Sequence, residues 1–213
     1  MDVQQVVAWL KRLIYLDTRV FEEVRTNPTA TIPSFLIMSL AMLLAGIGGW
    51  LWWMLQDFGS DSDIFVHSAL IGAVAAIVLW GAWLAVVYFL LSQVFRQRVY
   101  LEQLLRVMGL ATAPMALMGL MFIPVVSFAI GVAAIALVFG VSCVAISYVC
   151  SANPAQILVA NLAGFLVWAV ALTLLASGSG AGDRNPHAPG IFLYQAMVDA
   201  IADNVSLSSP DLQ

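Results

Sequence analysis

Charge is what this sequence has least of. From Val107 to Gly182, 76 consecutive residues, there is no Asp, Glu, Lys, Arg or His. A water-soluble domain carries about a quarter of its residues as charged side chains, so this stretch excludes a soluble fold. A bilayer accepts it, because the hydrocarbon core is about 30 Å thick and a crossing helix needs ~20 apolar residues. Two more runs, Thr26–Gln56 and Ile64–Phe95, lack Asp, Glu, Lys and Arg. Over the whole chain 9% of residues are charged and 62% hydrophobic, with a mean hydropathy of +0.98.

Cysteine and histidine are almost as scarce. Cys143 and Cys150 lie seven positions apart on one predicted helix, about 10 Å along its axis, which is too far for a disulfide. They read as small buried residues. The two histidines, His67 and His187, give no Cys/His cluster, and the sequence predicts no metal site and no cofactor. His67, at the start of the second apolar run, could ligate a haem or chlorophyll metal in principle; alone at an interface it reads as an ordinary polar residue. Residues 1–30 carry eight charges and no apolar core, so no cleavable leader is expected there. The alternating glycines of Ser177–Gly182 run into Asp-Arg-Asn-Pro instead of a helix, so they read as a linker and not as a dinucleotide-binding turn.

What is present is helix signal. Val3, Val6, Val7, Leu10, Leu13, Ile14, Val20, Phe21 and Val24 recur at helical spacing among Lys11, Arg12, Asp17, Arg19, Glu22, Glu23 and Arg25. That pattern predicts an amphipathic helical segment over 1–30, lying in the membrane interface or packed beneath the bundle. Asp17 is placed to cap a second short helix, with Arg19 facing Glu22 and Glu23. Asn27-Pro28 should end it, since a residue before proline avoids the α region.

Five spans are predicted over 31–177: about 32–55, 64–95, 107–123, 125–150 and 155–176. The second exceeds what a bilayer requires and should tilt or protrude. The third is short and holds Pro114, which removes a backbone hydrogen bond and should kink it; a re-entrant hairpin there is the alternative to a crossing. Trp50, Trp52 and Trp53 at the end of the first span suit a headgroup belt. On the fourth, Ala129, Ala133, Ala136 and Gly140 form a small-residue face suited to close helix approach, as does Gly109 on the third. Asn161 in the fifth span is expected to hydrogen-bond between helices. Residues 178–213 should be a linker followed by a short amphipathic helix over Ile191–Val205.

Seven of the eight basic residues fall on one side of this topology: Lys11, Arg12, Arg19, Arg25, Arg96, Arg98 and Arg106. The positive-inside rule then predicts a cytoplasmic N-terminus and an extracytoplasmic C-terminus. Beyond His67 at the margin of the second, no predicted span carries an ionisable side chain, which argues against a proton relay, ion-coupled transporter or channel. Ser127, Ser142, Ser147 and Tyr148 have no base in the spans to activate them, so no enzyme is expected. Asn204-Val-Ser is a glycosylation sequon only for a eukaryotic lumen.

Two stretches carry a family resemblance. Phe21-Glu-Glu-Val-Arg-Thr-Asn-Pro28 resembles the F-x-E-I-R-x-N-P opening of YIP-domain (Ypt-interacting protein) membrane proteins. Tyr100-Leu-Glu-Gln-Leu-Leu-Arg-Val-Met-Gly-Leu-Ala-Thr-Ala-Pro114 is similar to the stretch after that family's second span, with Gly109, Ala111 and Pro114 in register, and Ile123-Pro124 also fits. The resemblance covers roughly residues 10–176 and implies the same five-span, N-inside topology. Eukaryotic members bind prenylated Rab GTPases in traffic between endoplasmic reticulum and Golgi; prokaryotic members have the fold without an assigned activity. The segment before the first span is about 30 residues here, so binding of a small GTPase is not expected and a prokaryotic cell membrane is.

The functional expectation is a non-enzymatic scaffold or adaptor, in contact with the lipid bilayer and other membrane proteins and not with nucleic acid. Its partner-binding candidates are Phe21, Glu22, Glu23, Arg25, Asn27, Arg96, Arg98 and Arg106, and its helix-packing candidates are Gly109, Pro114, Ala129, Ala133, Gly140 and Asn161. The alternative is an accessory subunit of a larger energy-transducing complex, with a transporter or channel third.

Overall fold

The structure is a computed structural model and describes residues 3–55, 65–123 and 125–177. The acidic Gln56–Asp63 loop, Pro124, the linker, His187, the sequon and the helix expected over Ile191–Val205 lie outside the described residues, as do the side chains of Trp53 and His67. Among the described residues there is no strand. Seven α-helices follow one another: α1 Val3–Ile14, α2 Val20–Thr26, α3 Thr31–Leu55, α4 Gly72–Phe89, α5 Leu101–Ala111, α6 Ser127–Ser147 and α7 Pro154–Ser177. Short π-helical turns, Val66–Ile71 and Leu90–Val94, flank α4, and a 3-10 segment, Ala113–Leu120, continues α5. Five of these stretches are long and apolar enough to cross a membrane, and the protein is an integral membrane protein.

The five spans close into a ring in which α3 packs on α4, α4 on α7, α7 on α6, α6 on the third span and the third span on α3. The third span differs from its expected form. It begins at Leu101 and ends at Leu120, so it takes in six residues ahead of the expected start at 107. Arg106 and Glu102 therefore belong to it, which corrects the expectation that no span holds an ionisable group.

Pro114 marks the change from α to 3-10 winding. Its ring cannot donate to the Leu110 carbonyl, and the Thr112 hydroxyl donates to the Gly109 carbonyl at 2.7 Å. A 3-10 segment rises ~2.0 Å per residue against ~1.5 Å in an α-helix. Eleven and eight residues thus reach ~32 Å, enough for the hydrocarbon core. The direction is set by close approaches to α3. A methyl on Gly109 would lie 2.8 Å from the Ser34 carbonyl oxygen, Gly119 faces Leu44, and a methyl on Gly48 would collide with the Met118 carbonyl. The two segments run parallel over this length, so the third traverses beside α3 and does not turn back.

The α4–α7 pair packs an aromatic cluster around one buried amide. Trp83, Phe165 and Trp168 cluster with ring centroids 5.4 to 6.1 Å apart, and Phe139 adds an edge contact to Phe165 at 5.6 Å. Asn161, fully buried, accepts from Trp83 Nε1 at 3.1 Å and donates to the Phe139 carbonyl at 3.1 Å and to Cys143 Sγ at 3.2 Å. One amide thereby joins α4, α6 and α7. Cys143 and Cys150 are both free and half-buried.

On α6 the face that packs is the other one. Ser127, Gly131, Ala134, Val138, Ser142 and Ala145 are buried, whereas Ala129, Ala133, Ala136 and Gly140 are exposed. Both faces carry small residues, and spacing alone does not choose between them. Trp52, read above as part of an interfacial belt, is likewise buried in the bundle, while Trp50 meets the Phe65 ring edge-on at 4.9 Å.

Gly164 lets α7 approach α4 so closely that a methyl there would collide with the Trp83 ring, whereas one on Gly140 meets nothing within 4 Å. Gly164→Val is therefore expected to cost ~1–3 kcal/mol by forcing the pair apart. Gly140→Ala should stay within about 0.5 kcal/mol of the parent. Thermal unfolding of the two variants in the same detergent compares them directly.

Candidate functional site

Among the described residues the charged side chains gather at one end of the bundle, where α1, α2, the 95–100 connection and the 148–153 connection meet. A seven-residue helix such as α2 is unstable by itself, so what holds it decides the shape of this end. Val20, Phe21 and Val24 are fully buried, each contributing roughly 1.5–3 kcal/mol relative to exposure in water. The Phe21 ring lies 6.1 Å from that of Tyr148, and the Tyr148 and Thr18 hydroxyls are hydrogen-bonded at 3.0 Å. Phe21 is thus an anchor inside the protein, not a surface for a partner.

Two further candidates are also spent internally. Glu23 accepts from Trp9 Nε1 at 2.7 Å and from Arg12 Nη1 at 2.6 Å, which docks α1 onto α2. The Asn27 side chain accepts from the Thr29 N–H at 3.0 Å and the Thr29 hydroxyl at 2.7 Å, opening the 3-10 turn that leads into α3. The expected pairing of Arg19 with Glu22 and Glu23 does not form. Arg25 takes Glu22 on the same helix, and Arg12 takes Glu23 because the chain folds back at Leu16, whose φ of 59° is left-handed. Asp17 accepts from the Arg19 N–H and from Arg12 Nε, so it closes the turn before α2.

Arg106 is the least expected of the set. Only 6% exposed, it donates through Nε to the Thr31 hydroxyl at 2.8 Å, through Nη1 to the Arg25 carbonyl at 3.1 Å and through Nη2 to Glu102 at 3.0 Å. The Glu102 side chain is 81% exposed, and such a pair is worth little. The bonds to α2 and α3 carry the weight, since a buried guanidinium left unpaired costs several kcal/mol. Arg106 closes the joint between α2, α3 and α5.

Of the eight partner-binding candidates, Glu22, Arg25, Arg96 and Arg98 remain to face outward. Arg96 and Arg98 are exposed, and among the described residues neither has a hydrogen-bond or ion-pair partner. Both line a cavity of about 520 Å³ together with Arg25, Tyr148 and Ser151. Lys11 and Arg19, also exposed at this end, have no side-chain partner among the described residues either. Among the described residues no three His, Cys, Asp or Glu side chains converge as metal ligands.

With this geometry in view, comparison with known families gives one result: the Yip1 domain matches residues 13–180. The chain belongs to the Yip1 domain family. No curated protein and no solved structure matches it. The Yip1 domain match begins within α1 and runs past the end of α7, so the joint at Arg106 and the ring of spans both lie inside it. The two stretches read above as family-like are brought together in space, since Arg106 of the second holds the backbone of Arg25 in the first.

Arg106→Lys keeps the charge but cannot reach three acceptors with one ammonium group. It should lower stability by roughly 2–3 kcal/mol and increase proteolytic cutting between α2 and α3, both measurable on protein purified in detergent.

The α1–α2 contact should respond to acid. The Trp9 hydrogen bond, with lesser help from Arg12, holds the Glu23 carboxyl below the usual glutamate range. A depressed carboxyl stabilises the contact above its unfolded pKa of about 4.3 and ceases to do so as pH falls through the lower folded value. The fluorescence difference between the protein and its Trp9→Phe variant should be flat from pH 7 to 5 and change below about pH 4. Glu23→Gln should abolish that acid transition.

Proposed function

We propose that this Yip1-domain protein is a non-enzymatic membrane scaffold or adaptor that engages another membrane-associated protein through its charged end. The observation that carries the reading is the outward presentation of Glu22, Arg25, Arg96 and Arg98 on a base fixed by Arg106 and Tyr148. Seven of the eight basic residues belong to this end, which supports a cytoplasmic placement by the positive-inside rule. The N-terminus then lies in the cytoplasm and, after five crossings, the C-terminus outside. A prokaryotic cell membrane is the setting that fits the family resemblance best.

A second reading, an accessory subunit of a larger membrane complex, draws on a different surface. The outward stripe of Ala129, Ala133, Ala136 and Gly140 on α6 suits close packing of a helix from a neighbouring subunit.

Native purification in mild detergent, with mass spectrometry of co-purifying proteins, separates the two. The scaffold reading expects partners that are lost from Glu22→Ala/Arg25→Ala. Identical partners from parent and variant would remove the charged end as the binding surface, and stoichiometric recovery with one large complex in both would establish the subunit reading instead.

A further inference from the structure

The cavity between Arg25, Arg96 and Arg98 has an uneven charge balance. Glu22 offsets Arg25, but nothing among the described residues offsets Arg96 or Arg98, and no acidic side chain lines the cavity. The wall from Ser147 to Ser151 follows the C-terminus of α6, which contributes about half a negative charge. That partial charge is smaller than the two uncompensated guanidinium groups, so an anion is favoured.

The donors also specify its kind. Guanidinium groups present planar forks of N–H donors that match phosphate and carboxylate oxygens. Two such forks without a carboxylate partner, in one cavity with Arg25, Tyr148 and Ser151, suit a tetrahedral group that offers oxygens in several directions. A carboxylate is planar and fills one or two forks.

The position points the same way. The cavity lies where the second span ends at Val94, the fourth ends at Ser147 and the fifth begins at Pro154. This is the boundary between apolar and charged surface, the level at which lipid phosphates sit. Arg96 moreover has a left-handed backbone, φ 53°, an uncommon conformation for a side-chain-bearing residue that persists only where its surroundings impose it.

We propose that this cavity is a binding site for a phosphate group, carried by an anionic lipid headgroup or by a free phosphate. The test uses the full chain in three forms: the parent, Arg96→Asn/Arg98→Gln, and Lys11→Gln/Arg19→Gln. Asn tolerates the left-handed backbone at position 96. The third form removes two charges from the same end but away from the cavity. Lipid retention is read by native mass spectrometry after release from nanodiscs of phosphatidylcholine with and without phosphatidylglycerol. Inorganic phosphate is read by thermal stabilisation in detergent.

Preferential retention of phosphatidylglycerol, reduced about tenfold in Arg96→Asn/Arg98→Gln and unchanged in Lys11→Gln/Arg19→Gln, establishes a headgroup site. Equal lipid retention with phosphate stabilisation lost only in Arg96→Asn/Arg98→Gln establishes a free-phosphate site. Should that double variant fail to fold, Arg98→Gln alone leaves the strained position intact and must show a loss in the same direction. The proposal is overturned if neither ligand depends on Arg96 and Arg98, or if the control loses as much as the cavity variant.

Discussion

A guanidinium group closed off from water must find oxygens, and the position of Arg106 dictates where they are. Its partners come from three elements: the last-turn carbonyl of α2 at Arg25, the first residue of α3 at Thr31, and Glu102 one turn back on α5. A helix can give up a carbonyl to a side chain only near its C-terminus, where no intrahelical N–H competes for it. α2 therefore has to end close to Arg25, and the chain has to re-enter a helix within reach of the same guanidinium. Asn27-Pro28 does both, by stopping α2 at Thr26 and turning into Pro28–Ala30 through the Asn27–Thr29 hydrogen bonds. The break and the arginine are two halves of one joint, although Pro28 and Arg106 lie 78 positions apart in the chain.

Above that joint the forces change. Between apolar helices in lipid there is no water to expel, so close packing and a few hydrogen bonds select the arrangement. Gly48, Gly109 and Gly164 each sit where a side chain would strike a neighbouring helix. Asn161 spends its amide on three partners at once, and an unsatisfied amide in that setting would be costly. The 3-10 winding of Ala113–Leu120 belongs to the same logic. Pro114 prevents the α-helix from continuing, and the stretched segment keeps Gly119 and Met118 level with the far half of α3.

These differences in force explain what the sequence shows by itself. The spans are legible because hydropathy is a property of composition, summed over twenty residues. The break at Asn27-Pro28 is legible because proline acts on its immediate neighbour. Arg106 misleads for the opposite reason: a charge beside an apolar run marks a span boundary unless distant oxygens receive it, and those oxygens lie on α2 and α3. The pairing of Glu23 with Arg12 in place of Arg19 depends in the same way on a left-handed turn at Leu16 that no residue-type rule anticipates. On α6 two small-residue faces compete, and only the neighbours Met121 and the third span decide that Gly131 and Ala134 face in. Glu22, Arg25, Arg96 and Arg98 are visible in the sequence as charge; that they face outward while Phe21 is buried is a tertiary fact.

The charged end thereby divides into two kinds of cation. Arg12, Arg25 and Arg106 are held by carboxylates and backbone, while Lys11, Arg19, Arg96 and Arg98 have no such side-chain partner among the described residues. The held group builds a platform, and Tyr148 ties that platform to the 148–153 connection through Thr18 and Phe21. A ligand or partner reaching Arg96 and Arg98 meets a wall already fixed by α2, so it need not order that wall on binding. Ordering is a principal cost of association, and preorganisation removes part of it. Small α2, seven residues long and stable only through its contacts, is in this sense the element through which the buried joint and the exposed charges communicate: loosening Arg106 would free α2, and with α2 the Tyr148 side of the cavity.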